Sequence, residues 1–235
     1  MGEHTYKEFD NELEAIRSGV LNMGGQVEQQ LQRAIAALSD ETPGESIDDV
    51  GATELLINAA QITIDQQCTQ IIAKRQPTAI DLRTILTVTK IINDLERIGD
   101  EAKKIAYKAA STRGSNQLTR VRYLDVSRAA NQARGMLEMA LDAFARLDAS
   151  AAADVIDRDG EIDAMFHSIM RQLISYMMED PRTITPALEI VFIAKSIERI
   201  GDHAKNIAES VVQVVKGKDV RHATAEQIRA EVAQR

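Results

Sequence analysis

Apolar residues at Leu13, Ile16, Val20, Met23, Val27, Leu31, Ile35 and Leu38 recur at steps of three and four. A helix winds that spacing onto one face, so the stretch predicts a long amphipathic helix, broken by SDETPGES at 39–46. A second helical pattern runs from about Ile47 through Leu55, Ile62, Ile64, Cys68 and Ile72 and stops at RQP, 75–77. Thr78 and Asp81, beside Pro77, read as a capping box that opens a third helix. Its stripe is Ile85, Val88, Ile92, Leu95, Gly99, Ala102, Ala106 and Ala109, and it dissolves in STRGSNQ at 111–117, a linker between halves. The plan then repeats. One helix passes through Val126, Met136, Leu137, Leu141 and Leu147, and another runs from about Ala151 to Met178. A third opens near Pro181 or Pro186 and ends at VKGKD, 215–219, before a polar tail of partly helical character.

The repeat is arithmetic as well as pattern. Glu96, Arg97, Ile98, Gly99, Asp100, Ala102, Lys103, Ile105 and Ala106 reappear, each 102 residues later, as Glu198, Arg199, Ile200, Gly201, Asp202, Ala204, Lys205, Ile207 and Ala208. Three helices per half cannot bury their apolar faces alone, so the expected fold is all-α: two three-helix bundles related by an internal repeat, with six long helices. The expected divisions are 1–113, 114–217 and a polar C-terminal tail at 218–235.

Composition narrows the function. The chain has 235 residues, 44% of them hydrophobic, enough for a substantial core. Its one cysteine, Cys68, excludes a disulfide framework and a thiolate zinc site, and is expected to be a buried thiol in a reducing compartment. There is no signal-peptide pattern, and no apolar run approaches the roughly 20 residues that span a bilayer, which predicts a cytoplasmic protein without membrane insertion. A net charge of −8 with scattered Lys and Arg leaves no nucleic-acid footprint. Met136, Met139, Met165, Met170, Met177 and Met178 read as core filler.

The chemistry sits in the repeated stretch. Glu96 and Asp100 lie one helical turn apart, as do Glu198 and Asp202, which stacks like charges at a cost of a few tenths of a kcal/mol when exposed. A glycine in each helix interior, Gly99 and Gly201, costs roughly 1 kcal/mol more. Close packing or room for something bound would explain both. The preceding helix offers Asp159 and Asp163 in the second half and Gln61 and Asp65 in the first, facing acids that would complete a carboxylate patch in each bundle. A shift of 102 instead pairs Asp163 with Gln61 and His167 with Asp65, so the register stays open. Oxygen-rich patches suit magnesium, manganese, iron or zinc, and bridging carboxylates would hold more than one ion. A solvated acidic face, neutralised by neighbouring Lys and Arg, is the alternative. His203 and His167 are peripheral ligands or surface histidines. The Glu-x-x-His pairs of di-iron bundles are absent, as are phosphate loops and nucleophile elbows, so an enzyme is not expected.

IIAKRQPTAIDLR from Ile71, MRQLISYMMEDPRTI from Met170, IERIGDHAKNIAE from Ile197 and VKGKDVRH from Val215 together resemble the PhoU family of phosphate-transport regulators, over essentially the whole chain. The resemblance implies two three-helix bundles with metal ions at Glu/Asp-x-x-x-Asp motifs, here Glu96 and Asp100, Glu198 and Asp202, Asp159 and Asp163, and imperfectly Gln61 and Asp65. Gln61, a neutral ligand, would weaken the first-half site. The same resemblance implies a negative regulator of the phosphate-starvation response. Its expected partners are the ATPase subunit of a phosphate transporter and a sensor histidine kinase, which would hold it peripheral to the inner membrane; a homodimer is expected separately, as an acidic helical bundle. A metal-independent helical scaffold with acidic docking patches is the alternative.

Overall fold

Every long periodic stretch is a helix in the computed structural model, which describes residues 2–38, 47–111 and 118–233. In chain order the elements are α1 (Gly2–Leu38), α2 (Ile47–Arg75), α3 (Ala79–Ser111), α4 (Leu118–Arg146), α5 (Ala149–Glu179), a 3-10 turn (Pro181–Thr183), α6 (Ile184–Lys216) and α7 (Ala225–Ala233). Among the described residues there is no strand. The stretch 39–46, most of the 111–117 linker and hence the expected division at 113/114 lie outside the described residues.

Local chemistry explains the sharp turns. Asp148 caps α5 by accepting the N–H groups of Ser150 and Ala151, both at 3.0 Å, which satisfies donors that the first helical turn leaves without partners. Gly217 stops α6 in the left-handed region at φ 73°, donating its N–H to Gln213 O.

α1, α2 and α3 pack on one another, as do α4, α5 and α6, which bears out the all-α, two-repeat architecture. The halves do not keep separate cores. α3 lies along α6 and α1 along α4, so Val27, Leu31, Ile98, Ile105, Ala133, Leu137, Ile200 and Ile207 belong to one continuous apolar cluster. Ile98 and Ile200, equivalent in the repeat, are both fully buried, and each such side chain contributes about 2 kcal/mol relative to exposure. This shared core fixes α3 against α6, and with them the repeated acids.

The tail is partly helical, as expected, and packs on α5: Thr224 and Gln227 form a reciprocal cap on α7, Ile228 is buried, and Arg229 pairs with Asp154 and Asp157. One expectation needs correction. Of the methionines, Met136 is buried and Met139, Met165 and Met177 pack against the core, but Met178 is 80% exposed. Cys68 is the expected buried thiol, its pKa pushed up to about 11 by burial and then by the Asp65 charge. Among the described residues no helix is long and apolar enough to cross a membrane.

Candidate functional site

In the second half the sequence-predicted acids come together. Asp202 is held above the ordinary carboxylate range first by burial and then by the charges of Glu198, Asp159 and Asp163, so all four share one field. Two lysines offset it. Lys205 donates to Asp159 Oδ2 at 2.6 Å, and Lys195 Nζ lies 2.5 Å from Glu198 Oε2. The second contact is an ion pair without hydrogen-bond alignment, so Glu198 Oε2 is a buried oxygen with no hydrogen bond.

The first half is built differently. Glu54 of α2, not Gln61 or Asp65, meets Asp100. It is 4% exposed, accepts Gln30 Nε2 at 3.0 Å and hydrogen-bonds Asp100. Burial raises the Glu54 pKa, and the neighbouring Asp100 raises it further. Gln61 bonds Asn93 at 2.8 Å instead, and Asp65 is exposed, three turns along α2 from Glu54. Asn58 lies between these two contacts, so helical register sets it opposite Glu96; its buried Oδ1 has no hydrogen bond.

The glycines identify the true register. A Cβ on Gly99 would stand 3.3 Å from Ile57 Cδ1, and one on Gly201 would stand 3.1 Å from Ile162 Cδ1. Ile57 is therefore the counterpart of Ile162, Glu54 of Asp159 and Asn58 of Asp163. Both registers that the sequence left open are replaced by this third one, and Glu54 and Asn58 are the residues that sequence reasoning missed. The available signal was the spacing Glu54-x-x-x-Asn58, which matches Asp159-x-x-x-Asp163 once asparagine is allowed as an oxygen ligand.

Between the acidic groups, α3 and α6 form a seam. Glu101, 5% exposed, receives Lys104 Nζ at 2.9 Å and Arg199 Nη1 at 3.2 Å. Burial pulls its pKa upward, but hydrogen bonds from Lys104, Ser196 and Arg199 outweigh that and hold it below the usual range. The equivalent position of the second repeat is His203, whose Nδ1 lies 2.9 Å from Asp94 Oδ1. His203 thus faces the seam, whereas His167 is exposed with its ring against Phe166. A groove of about 630 Å³ follows the seam, bordered by Asp100 on one side and Asp202 on the other.

What the site can do chemically is attract cations. Among the described residues the first half leaves Asn58 Oδ1 and Gln30 Oε1 buried without a donor, while in the second half Glu198 Oε2 is met only by the Lys195 ammonium. As the side chains stand, however, no three His, Cys, Asp or Glu groups among the described residues converge closely enough to hold an ion.

The model of the PhoU domain matches residues 20–109 and 126–211. A phosphate-specific transport system accessory protein PhoU homolog from Pseudomonas putida is 44% identical over 229 residues, 97% of this chain and 89% of that protein. The phosphate-specific transport system accessory protein PhoU of Escherichia coli K12 is 40% identical over 228 residues, 97% of this chain and 93% of that protein. The crystal structure of PhoU from Pseudomonas aeruginosa superposes with a TM-score of 0.84 at 43% identity, covering 89% of this chain and 100% of that one. A phosphate transport system regulatory protein PhoU from Streptococcus pneumoniae superposes with a TM-score of 0.79 at 25% identity, covering 90% and 99%.

Proposed function

This chain belongs to the PhoU family, and on that premise we propose that it regulates phosphate transport as a non-catalytic adaptor. In this reading it joins the ATPase subunit of a phosphate transporter to a sensor histidine kinase, as a homodimer at the cytoplasmic face of the inner membrane, and represses the phosphate-starvation response. Its support is the name shared by relatives at 40–44% identity over nearly the whole chain, accessory protein of the phosphate-specific transport system.

The proposal includes a metal group in each repeat: Glu198, Asp202, Asp159 and Asp163 in the second, and Glu96, Asp100, Glu54 and Asn58 in the first. Asp65, exposed and remote from Asp100, leaves the set. The observation that carries this part is the buried Asn58 Oδ1, an acceptor without a donor that a cation would satisfy, together with Glu198 Oε2, whose nearest cation is Lys195 at 2.5 Å. These donors are all oxygens, which suits hard or borderline cations such as magnesium, manganese, iron or zinc. When bound, the metal would supply fixed positive charge; Lys195 and Lys205 would release Glu198 and Asp159 to make room for it. The same two lysines favour the second reading, in which they neutralise the acids permanently and the patches dock a basic partner surface.

Elemental analysis of protein purified without chelator or nickel separates the two. Stoichiometric metal that falls in Glu198→Gln/Asp202→Asn, with helicity unchanged, is the expected result. Metal content identical in the wild type and the double variant would sink the metal reading. The adaptor role is tested separately by co-purification with the transporter ATPase and the kinase, with and without chelator.

A further inference from the structure

The two repeats break their own symmetry at one place in the seam. Arg199 of α6 has Glu101 of α3 as its carboxylate. The equivalent of Arg199 is Arg97, and the equivalent of Glu101 is His203, so the position that should hold a carboxylate for Arg97 holds an imidazole. That equivalence is structural as well as sequential. Glu101 bonds Ser196, and His203 contacts Asp94, the residue equivalent to Ser196.

Arg97 is left with an open fork. Its side chain is 66% exposed, and its ion-pair partner Glu96 stands 3.7 Å away, beyond hydrogen-bonding distance. Arg97, His203, Arg199 and Lys104 all line the same groove of about 630 Å³. Of the four acids of that groove, Asp202 belongs to the second-half acidic group and lies in the field of Lys195, and the other three are already committed. Glu101 is held by Lys104 and Arg199, Asp100 hydrogen-bonds Glu54, and Glu209, itself buried, lies in the field of Lys205. His203 Nδ1 faces Asp94, so the other ring nitrogen is the one free to meet a ligand.

We propose that this groove binds an oxyanion of the phosphate class, seated between Arg97 and His203 where the repeat lacks its second carboxylate, with Arg199 and Lys104 lining the same groove. A guanidinium presents parallel N–H donors that match two oxygens of a phosphate, and a second cation across the seam favours a doubly charged ion. Free inorganic phosphate and a phosphate monoester share this chemistry. The site does not rest on the metal reading, since none of its four side chains belongs to the proposed metal groups.

Titration calorimetry on the full chain, as purified and again after chelation, tests it with inorganic phosphate and with phenyl phosphate as probes. The expected result is saturable binding of at least one probe with a Kd below about 1 mM in both preparations. Arg97→Gln should weaken it at least about tenfold, by removing the paired donors. His203→Glu should weaken it as much, because it supplies internally the carboxylate that the anion replaces. Arg128→Gln, the same charge change on an exposed residue of α4, should leave it intact. Tighter binding of inorganic phosphate identifies the free ion as the ligand, and tighter binding of phenyl phosphate identifies an ester. Absence of saturable heat up to about 10 mM of either probe overturns the proposal. So does binding that survives Arg97→Gln, or binding lost on chelation, which would assign the anion to bound metal.

Discussion

Arg199 Nη1 donates to Glu101 Oε1 across 3.2 Å, and this bond ties α6 of the second repeat to α3 of the first. Glu101 is the buried partner, while the Lys104 and Arg199 side chains are each about half exposed. The carboxylate therefore bears most of the desolvation, and its hydrogen bonds offset it. An acid in such a place stabilises the fold only while it is ionised.

Glu101→Gln should cost about 1.5–3 kcal/mol at pH 7, the range for losing hydrogen bonds to a charged group. The folded pKa of Glu101 is lowered below the ordinary 4.5, so its contribution is fully present above 4.5 and is lost as pH falls through the folded value. Urea unfolding across pH 3–7 should show the wild type and the variant converging on the acid side. A gap independent of pH would mean that Glu101 acts through packing alone.

Asp202 has the opposite sign. Its folded pKa is raised above 3.8 by burial and then by Glu198, Asp159 and Asp163, so its stabilising contribution is present below 3.8 and lost as pH rises through the folded value. In chelated protein, Asp202→Asn should stabilise at pH 7 by about 0.5 kcal/mol, a figure kept small because the group is only partly buried. The benefit should shrink toward pH 4. Adding back the cognate metal should reverse the order, since the variant lacks a ligand; thermal melts with and without metal would read both effects. An unligated variant less stable than the wild type at pH 7 would contradict the mutual repulsion.

Gly99 and Gly201 should respond unequally to alanine. Each substitution gains up to about 1 kcal/mol of helix propensity. At Gly201 the closest atoms to the new methyl are all of Ile162, with the terminal Cδ1 nearest at 3.1 Å, which a small rotamer shift relieves, so the net change should lie within about 0.5 kcal/mol of zero. At Gly99 it meets Gln30 Oε1 at 3.0 Å, and Gln30 is fully buried and bonded to Glu54. Gly99→Ala should therefore destabilise by about 1 kcal/mol, the size of a disturbed buried hydrogen bond. Equal denaturation midpoints for the two variants would show that the Gln30–Glu54 contact yields freely.

The sequence by itself determined the helices, the repeat and the α3 and α6 acids. Three-and-four spacing is a local property of one helix, and the 102-residue identity fixes Glu96, Asp100, Glu198 and Asp202 at equivalent turns without reference to any other element. Pattern also marked Gly99 and Gly201 as places of either close packing or room for something bound, and the Ile57 and Ile162 contacts show the close packing.

Only the tertiary structure decided which turn of α2 meets α3. The hairpin from Ile57 to Gly99 is three residues longer than that from Ile162 to Gly201, so the offset that equates α3 with α6 does not equate α2 with α5. Interhelical register depends on connection length and on how side chains interlock, and neither is written in the periodicity of a single helix. Hence Glu54 and Asn58 displace Gln61 and Asp65 opposite the first acidic pair. The exchange of Glu101 for His203 is legible at the 102-residue offset, but its consequence became visible only once α3 and α6 lay side by side, because Arg199 reaches Glu101 and Asp94 meets His203 across the two repeats.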